Sequence, residues 1–350
     1  MAEEKSFRRP SYKRWHPLLG EWVIMAPATA VRPWSGTTVS SPGEKEPAFD
    51  PGCYLCPGVK RAGGEINPEY DGVFVFDNDF PSFSREYSRE EDDTVNPDVE
   101  PAVGVFRVVC FSPKHNITLA EMERDEVENV LSALSGQLKE LSSLTDIQHV
   151  MIFENRGTAI GVSNPHPHGQ IYATDFVPRI PRTMYSNARE FMRSKGKCLF
   201  CTVIEEELRE GSRIVCQDDF FVAYVPSFAR HVFETHIMPK RHVPYMTGLT
   251  GEELSSLAGI YREMLIRYDN LFRMPFPNIT IFENAPCRSA VNPEPYHFHI
   301  EFYPPLRSRD KLKYMAGFES GGGNIINPSL PEESAEALRS VSPVHYAKSP

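Results

Sequence analysis

Reactive side chains crowd into one short segment, Asn164-Pro165-His166-Pro167-His168-Gly169-Gln170, which runs into the strand-like Ile171-Tyr172-Ala173-Thr174. In extended chain, residues two apart project to one face, so His166, His168 and Gln170 are expected to stand side by side. The prolines on both sides of His166 stiffen the approach, and Gly169 lets backbone or ligand come close. A neutral imidazole is a competent nucleophile near pH 7, its ordinary pKa being about 6.5. Glutamine has no acid–base role at neutral pH, but its amide can hold the oxygens of a phosphate. An isolated His-x-His pair could equally be two loop histidines satisfied by hydrogen bonds. A second pair, His297-Phe298-His299, in matching surroundings argues against that.

Four of the seven cysteines form two C-x-x-C pairs, Cys53/Cys56 and Cys198/Cys201. Chance placement would give about 0.1 such pairs. One pair alone could be a redox motif. Two pairs, each followed by histidines, favour zinc, because a C-x-x-C turn brings two thiolates to one tetrahedral ion and histidines complete the set. Cys110, Cys216 and Cys287 are expected to be plain core or surface residues. The odd cysteine count argues against a disulfide framework, and no apolar stretch follows the charges of the N-terminus, so a cytoplasmic setting is expected.

These residues recur because the chain reads as a duplication. After Cys53/Cys56 come Phe74-Val75-Phe76-Asp77-Asn78-Asp79, a strand ending before His115, an acidic helix, Val150-Met151-Ile152-Phe153-Glu154-Asn155, and His166-Pro167-His168. After Cys198/Cys201 come Asp218 to Tyr224, a strand ending before His242, a helix, Ile279-Thr280-Ile281-Phe282-Glu283-Asn284, and His297-Phe298-His299. The offset is 129 residues at Glu154/Glu283 and 131 at His166/His297. Val127, Val130, Leu131, Leu134, Leu138 and Leu141 recur at helical spacing, as do Leu254, Leu257, Tyr261, Leu265, Tyr268 and Leu271/Phe272. Thr250 and Glu253 fit a capping box. The expected fold class is α+β, in two related antiparallel sheet-plus-helix halves, residues 1–180 and 181–350. The first 50 residues and those after about 307 read as extensions wrapped on this core. Within the latter, Gly321 to Gly323 reads as a loop and Pro331 to Arg339 as a short surface helix.

Composition narrows the function. Apolar residues at 41% and charged residues at 24% exclude wholesale disorder and fibrous architecture. There is no apolar run of about 18 residues, so no membrane helix is expected. A net charge of −10 argues against coating nucleic acid, while leaving room for a small anionic ligand beside local arginines.

The run Glu154-Asn155-Arg156-Gly157 and Gly161-Val162-Ser163-Asn164-Pro165-His166-Pro167-His168-Gly169-Gln170 resembles the signature of the galactose-1-phosphate uridylyltransferases, in the histidine triad superfamily. Arg32-Pro33-Trp34, Asn78-Asp79-Phe80, Phe302 to Pro305 and Lys313 to Glu319 support the likeness over most of the chain. The resemblance implies a duplicated histidine-triad-like fold and ping-pong transfer of uridylyl between UDP-glucose and a hexose 1-phosphate, normally galactose 1-phosphate. His168 takes the place of the nucleophile that becomes a uridylyl-histidine. Cys53, Cys56, His115 and His166 take the places of the ligands of a first zinc. Gln170, Ser163 and Asn155 match phosphate-holding positions, and Arg32, Asn78 and Asp79 match the nucleotide-sugar pocket. The position three before Arg32, basic in many relatives, is Thr29 here. Cys198, Cys201, His242 and His297 stand at the duplicated positions, as in two-zinc relatives, so two closed structural zinc sites per chain are expected. The resemblance also implies a homodimer. Superfamily hydrolases usually carry a third histidine where Gln170 stands, so transfer is favoured over hydrolysis. An ADP-glucose phosphorylase or adenylyltransferase of the same superfamily is the alternative, and a zinc-stabilised nucleotide-binding scaffold without catalysis is a third reading. Glu283, His299 and Glu301 form a further candidate metal set.

Overall fold

A computed structural model describes residues 10–30, 46–86, 101–162, 164–287 and 291–348. The strands that matter are β1 (Tyr12–His16), β2 (Glu21–Met25), β3 (Phe74–Asp77), β4 (Gly104–Cys110), β5 (His149–Arg156), β6 (His168–Thr174), β7 (Ile214–Gln217), β8 (Phe221–Tyr224), β9 (Thr235–Pro239), β10 (Asn278–Glu283) and β11 (His299–Tyr303). The main helices are α1 (Arg124–Ser142), α2 (Arg179–Lys195), α3 (Leu199–Glu210) and α4 (Gly251–Phe272). No helix among the described residues is long and apolar enough to cross a membrane.

One nine-stranded sheet carries both halves, in the order β3-β4-β6-β5-β10-β11-β9-β8-β7. Its neighbours all pair antiparallel. Apart from β7, that order is a palindrome of matched strands. At its centre Ile152 pairs with Phe282 and Phe153 with Ile281. Ile152 corresponds to Ile281 across the duplication, and Phe153 to Phe282, so a pseudo-twofold axis passes between these pairs. The two halves are thus fused by a self-complementary edge, which removes the unpaired strand edge each would otherwise expose.

The two faces of the sheet are covered differently. Helices α1 and α4 pack on one face along both halves, burying Val127, Leu131, Leu134, Leu257, Tyr261 and Leu265 against Ile152, Ile171 and Ile300. The periodicity of α1 is the burial pattern found, since Val127, Val130, Leu131, Leu134, Leu138 and Leu141 are its buried residues. In α4, Thr250 Oγ1 accepts from Glu253 N at 3.2 Å and the Glu253 carboxylate accepts from Thr250 N at 2.8 Å, completing the capping box. On the opposite face, α2 and α3 bury Met184, Phe200, Val203 and Ile204 against Val222, Tyr224 and Met238 of the second half. Among the described residues the first half has no such helices there. A small cluster of Cys53, Leu55, Cys56, Val108 and Cys110 covers only part of it, and the remainder is an open cleft.

The terminal extensions meet each other. Strands β1 and β2 form a hairpin, to which Ile326–Asn327 adds in parallel. Where glycines 321 to 323 suggested a loop, Gly317–Gly322 forms a short helix. The Glu319 carboxylate accepts from Ala316 N at 3.0 Å and from Ile326 N at 3.0 Å, which holds the turn that the glycines alone would leave loose. Helix Pro331–Ser340 is not merely superficial, because Pro331, Ser334, Ala335 and Leu338 are buried.

Glu154 lies fully inside this core, 3.5 Å from the Tyr261 hydroxyl, and burial pushes its pKa up to about 7. An unfolded glutamate titrates near 4.3, so the contribution of Glu154 to stability is fully present below that pH and is lost as pH rises through about 7. Glu154→Gln should therefore gain in melting temperature relative to the unsubstituted protein as pH goes from 5 to 8. A difference that stays constant over that range would show that Glu154 is already ionised in the fold.

Candidate active site and metal centres

The open cleft, about 440 Å³, lies over the exposed face of β4 and β6. His168 and Gln170 face it from β6, where they pair with Cys110 and Val108 of β4. Asn155 enters from the end of β5, and Asn78 and Asp79 from the residues after β3. Gly169, between the two site residues, points away from the cleft. A Cβ there would lie 2.8 Å from the Phe111 ring and 3.1 Å from the Phe153 carbonyl, so this glycine serves the close approach of backbone and core. The strand begins at His168, three residues earlier than Ile171. His166 lies ahead of it, with its ring against Cys56, which clusters with Val108 and Cys110 on the same side of the sheet as His168 and Gln170.

The state of His168 follows from its contacts. Its Nδ1 is 2.7 Å from the carbonyl oxygen of His166, so Nδ1 carries the proton and donates it, leaving the Nε2 lone pair free. Burial lowers the pKa of His168, with the carbonyl bond opposing part of that shift, so the ring is neutral at pH 7. Asn78 and Asp79 are also held. Asn78 Oδ1 accepts from Phe80 N at 2.7 Å, and Asp79 Oδ2 accepts from Gly63 N at 2.9 Å with the Arg61 guanidinium 3.4 Å away. Arg61 lies over the ring of Phe76, a wall of the cleft, 4.3 Å from its centre. Arg32 and Ser163 lie outside the described residues.

Both Cys/His sets converge. Cys53, Cys56, His115 and His166 bring one ligand atom each within 4.8 Å of one another, and so do Cys198, Cys201, His242 and His297. Cys56 Sγ is 3.7 Å from His115 Nδ1 and 3.6 Å from His166 Nδ1. Cys201 Sγ is 3.4 Å from His242 Nδ1 and 3.5 Å from His297 Nδ1. Zinc–sulfur and zinc–nitrogen bonds of about 2.3 and 2.0 Å at a tetrahedral angle separate S and N by about 3.5 Å, so these distances are those of neighbouring vertices around one ion. His242 Nε2 and His297 Nε2 are buried with no hydrogen-bond partner. His166 Nε2 donates to the Ser112 carbonyl at 2.9 Å, which turns Nδ1 toward the cysteines.

His299 is the duplicate of His168 and keeps the same backbone contact, with Nδ1 2.8 Å from the His297 carbonyl. Its other nitrogen is already taken, 3.1 Å from Glu301 Oε1. Phe200 and Tyr296 pack on its ring, and it is fully buried. Glu283 accepts from the Tyr296 hydroxyl at 3.1 Å, and Glu301 also accepts from the Tyr303 hydroxyl. Among the described residues the two Cys/His sets are the groups whose ligand atoms gather as around an ion, and Glu283, His299 and Glu301 do not form a third.

The cleft has walls that spacing did not suggest. Tyr54 and Leu55 line it from between the first two cysteines, so the loop that carries two members of the first Cys/His set is also a wall of the pocket. Asn164 lines it too, and contacts both the Cys53 sulfur and the His166 amide. The signal available for Asn164 was its contrast with Pro295, which holds the duplicated position two before His297.

Comparison with known proteins agrees with this architecture. Residues 3–178 match the N-terminal domain model of galactose-1-phosphate uridyl transferase, and residues 184–350 match the C-terminal domain model. Galactose-1-phosphate uridylyltransferase of Haemophilus influenzae is 39% identical over 338 residues, covering 96% of this chain and 95% of that protein. The Rattus norvegicus enzyme of the same name is 36% identical, covering 99% and 92%. A solved uridylyltransferase superposes with a TM-score of 0.75 at 28% identity over 94% of this chain and 97% of its own. An ADP-glucose phosphorylase from Arabidopsis thaliana, solved with ADP-glucose, gives 0.76 at 25% over 95% and 100%. Fold and full-length matches together define a two-domain α+β nucleotidyltransferase. The chain belongs to the galactose-1-phosphate uridylyltransferase family.

The geometry of the two sets predicts uptake of two ions per chain. Protein stripped of metal and titrated with Co²⁺ should develop thiolate charge-transfer and tetrahedral ligand-field absorption that saturate at two equivalents. Saturation at one equivalent, with Cys198 and Cys201 still open to thiol reagents, would remove the second site.

Proposed function

We propose that the protein exchanges uridylyl between UDP-glucose and galactose 1-phosphate through a covalent intermediate on His168, and the His168 Nδ1 to His166 carbonyl hydrogen bond is the observation that carries this reading. That bond presents the Nε2 lone pair to the cleft. Nε2 attacks the α-phosphorus, a P–N bond forms, and the P–O bond to glucose 1-phosphate breaks, with the electron pair leaving on the sugar phosphate. Positive charge that develops on the imidazolium is stabilised by the carbonyl oxygen already holding Nδ1–H. Galactose 1-phosphate then attacks the same phosphorus, the P–N bond breaks, and His168 returns to its neutral state. Gln170, Asn155 and Ser163 hold the phosphate oxygens, while Arg32, Asn78 and Asp79 hold the nucleotide sugar. Sugar phosphates leave without much help from a proton, so Gln170 suffices where a hydrolase would use a histidine.

The metal in both sets is zinc, two per chain, since two thiolates and two imidazoles are the donors zinc takes in closed sites. Zinc held by Cys53, Cys56, His115 and His166 would supply a fixed crosslink with no open position for substrate. The chain divides near residue 180 into its two halves, works in the cytoplasm, and forms a homodimer.

Isotopic exchange tests the mechanism. Labelled glucose 1-phosphate should enter UDP-glucose with no galactose 1-phosphate present, and His168→Asn should abolish that exchange while UDP-glucose still binds. Exchange that requires the second sugar would point to direct transfer. Running ADP-glucose with inorganic phosphate in parallel tests the adenylyl alternative, which predicts the faster turnover there. Gln170→His should raise hydrolysis of UDP-glucose relative to transfer. Cys198→Ser should lower melting temperature with exchange per folded molecule retained. Cys53→Ser should cost about a hundredfold in exchange as well, because displacement of the nucleophile by about 1 Å has that effect.

A further inference from the structure

The two halves carry the same ligand set and the same histidine-to-carbonyl bond, and one of their differences is a buried residue that touches both. In the first half, the Cys53 sulfur lies 3.4 Å from Asn164 Nδ2 and 3.5 Å from its Oδ1, and Oδ1 lies 3.0 Å from the His166 amide nitrogen. Since Oδ1 accepts from the backbone N–H of His166, the amide orientation is set, and Nδ2 donates to the sulfur. The His166 carbonyl in turn accepts from His168 Nδ1 at 2.7 Å. A short continuous chain of contacts therefore runs from a metal-ligand sulfur through one amide side chain and one peptide to the imidazole in the cleft. In the second half the matching residue is Pro295, which has no side-chain donor or acceptor. There Cys198 Sγ faces the Pro295 carbonyl oxygen at 3.8 Å, a group that cannot donate to a thiolate.

We infer that Asn164 is a positioning residue that couples the first metal set to the nucleophile. The inference rests on zinc at Cys53, Cys56, His115 and His166 and on His168 as nucleophile. A hydrogen bond from Nδ2 fixes the orientation of the Cys53 sulfur toward the other three ligands, as contacts to ligands generally do. The bond from Oδ1 fixes the peptide whose carbonyl sets the His168 ring. Neither function needs Asn164 to touch the substrate.

Asn164→Asp and Asn164→Ala separate the two bonds. Aspartate keeps an acceptor for the His166 amide and sets an acceptor against the thiolate; alanine removes both. The zinc-loaded protein is challenged with a chromogenic chelator, and the release of its two ions is followed as two phases. The second-half zinc serves as the internal reference. In both variants one phase should speed up by about tenfold or more, the size typical for loss of a partner to a metal ligand, while the other keeps its rate. UDP-glucose/glucose 1-phosphate exchange should lose kcat in Asn164→Ala with KM little changed, and lose less in Asn164→Asp. Unchanged release of both ions would overturn the inference. So would equal acceleration of both, which is general loosening, or a rise in KM at constant kcat, which would make Asn164 a substrate contact. A parent protein that exchanges normally but holds no zinc at the first set would overturn the metal assignment, and the inference with it.

Discussion

The site depends on one hydrogen bond, from His168 Nδ1 to the carbonyl of the residue two before it. An unconstrained imidazole samples two tautomers and several ring orientations, and only one combination presents Nε2 to the cleft. The carbonyl selects it, and burial keeps the ring neutral. The peptide bearing that carbonyl must therefore be held in turn. His166 is gripped through its ring, by Ser112 on one side and the cysteine set on the other, and through its amide by Asn164. The loop from Cys53 to Cys56 belongs to the same device, since it supplies two ligands and also the Tyr54 and Leu55 walls of the pocket.

Duplication alone does not make two such sites. The sheet is close to symmetric, and His299 repeats the backbone bond of His168. The difference lies in what covers the face beyond it. Over the second half, α2 and α3 supply Phe200 and its neighbours, and Tyr296 fills the remaining space. Glu301, at the position of Gln170, takes the nitrogen that would otherwise be free. The second half has thus become a closed core with a Cys/His set in it, while among the described residues the first half stays open over the same face of the sheet.

Much of this was legible in the sequence because each half repeats six features in one order. The two C-x-x-C pairs, the helix faces and the repetition of related halves follow from spacing and periodicity, while the histidines that complete the two Cys/His sets were named by the family resemblance. Alternation put His168 and Gln170 on one face of the strand; His166 lies just ahead of it, as His297 lies ahead of the strand that begins at His299. Spacing also could not reveal that the palindromic sheet is continuous, since the β5–β10 register depends on pairing 126 residues apart between Glu154 and Thr280. Nor could it show that Asn164 faces sulfur, or that Glu319 would turn a glycine-rich stretch into a helix, because both are set by tertiary contacts.

The central claim is that Nε2 of His168 is the reacting atom, held so by the proton on Nδ1. The most direct measurement is ¹⁵N–³¹P coupling in protein with ¹⁵N-labelled histidine, after reaction with UDP-glucose and removal of glucose 1-phosphate. A phosphorus coupled to Nε2 of His168, with Nδ1 still protonated, is the expected result. Coupling to Nδ1, or to His299, would contradict it.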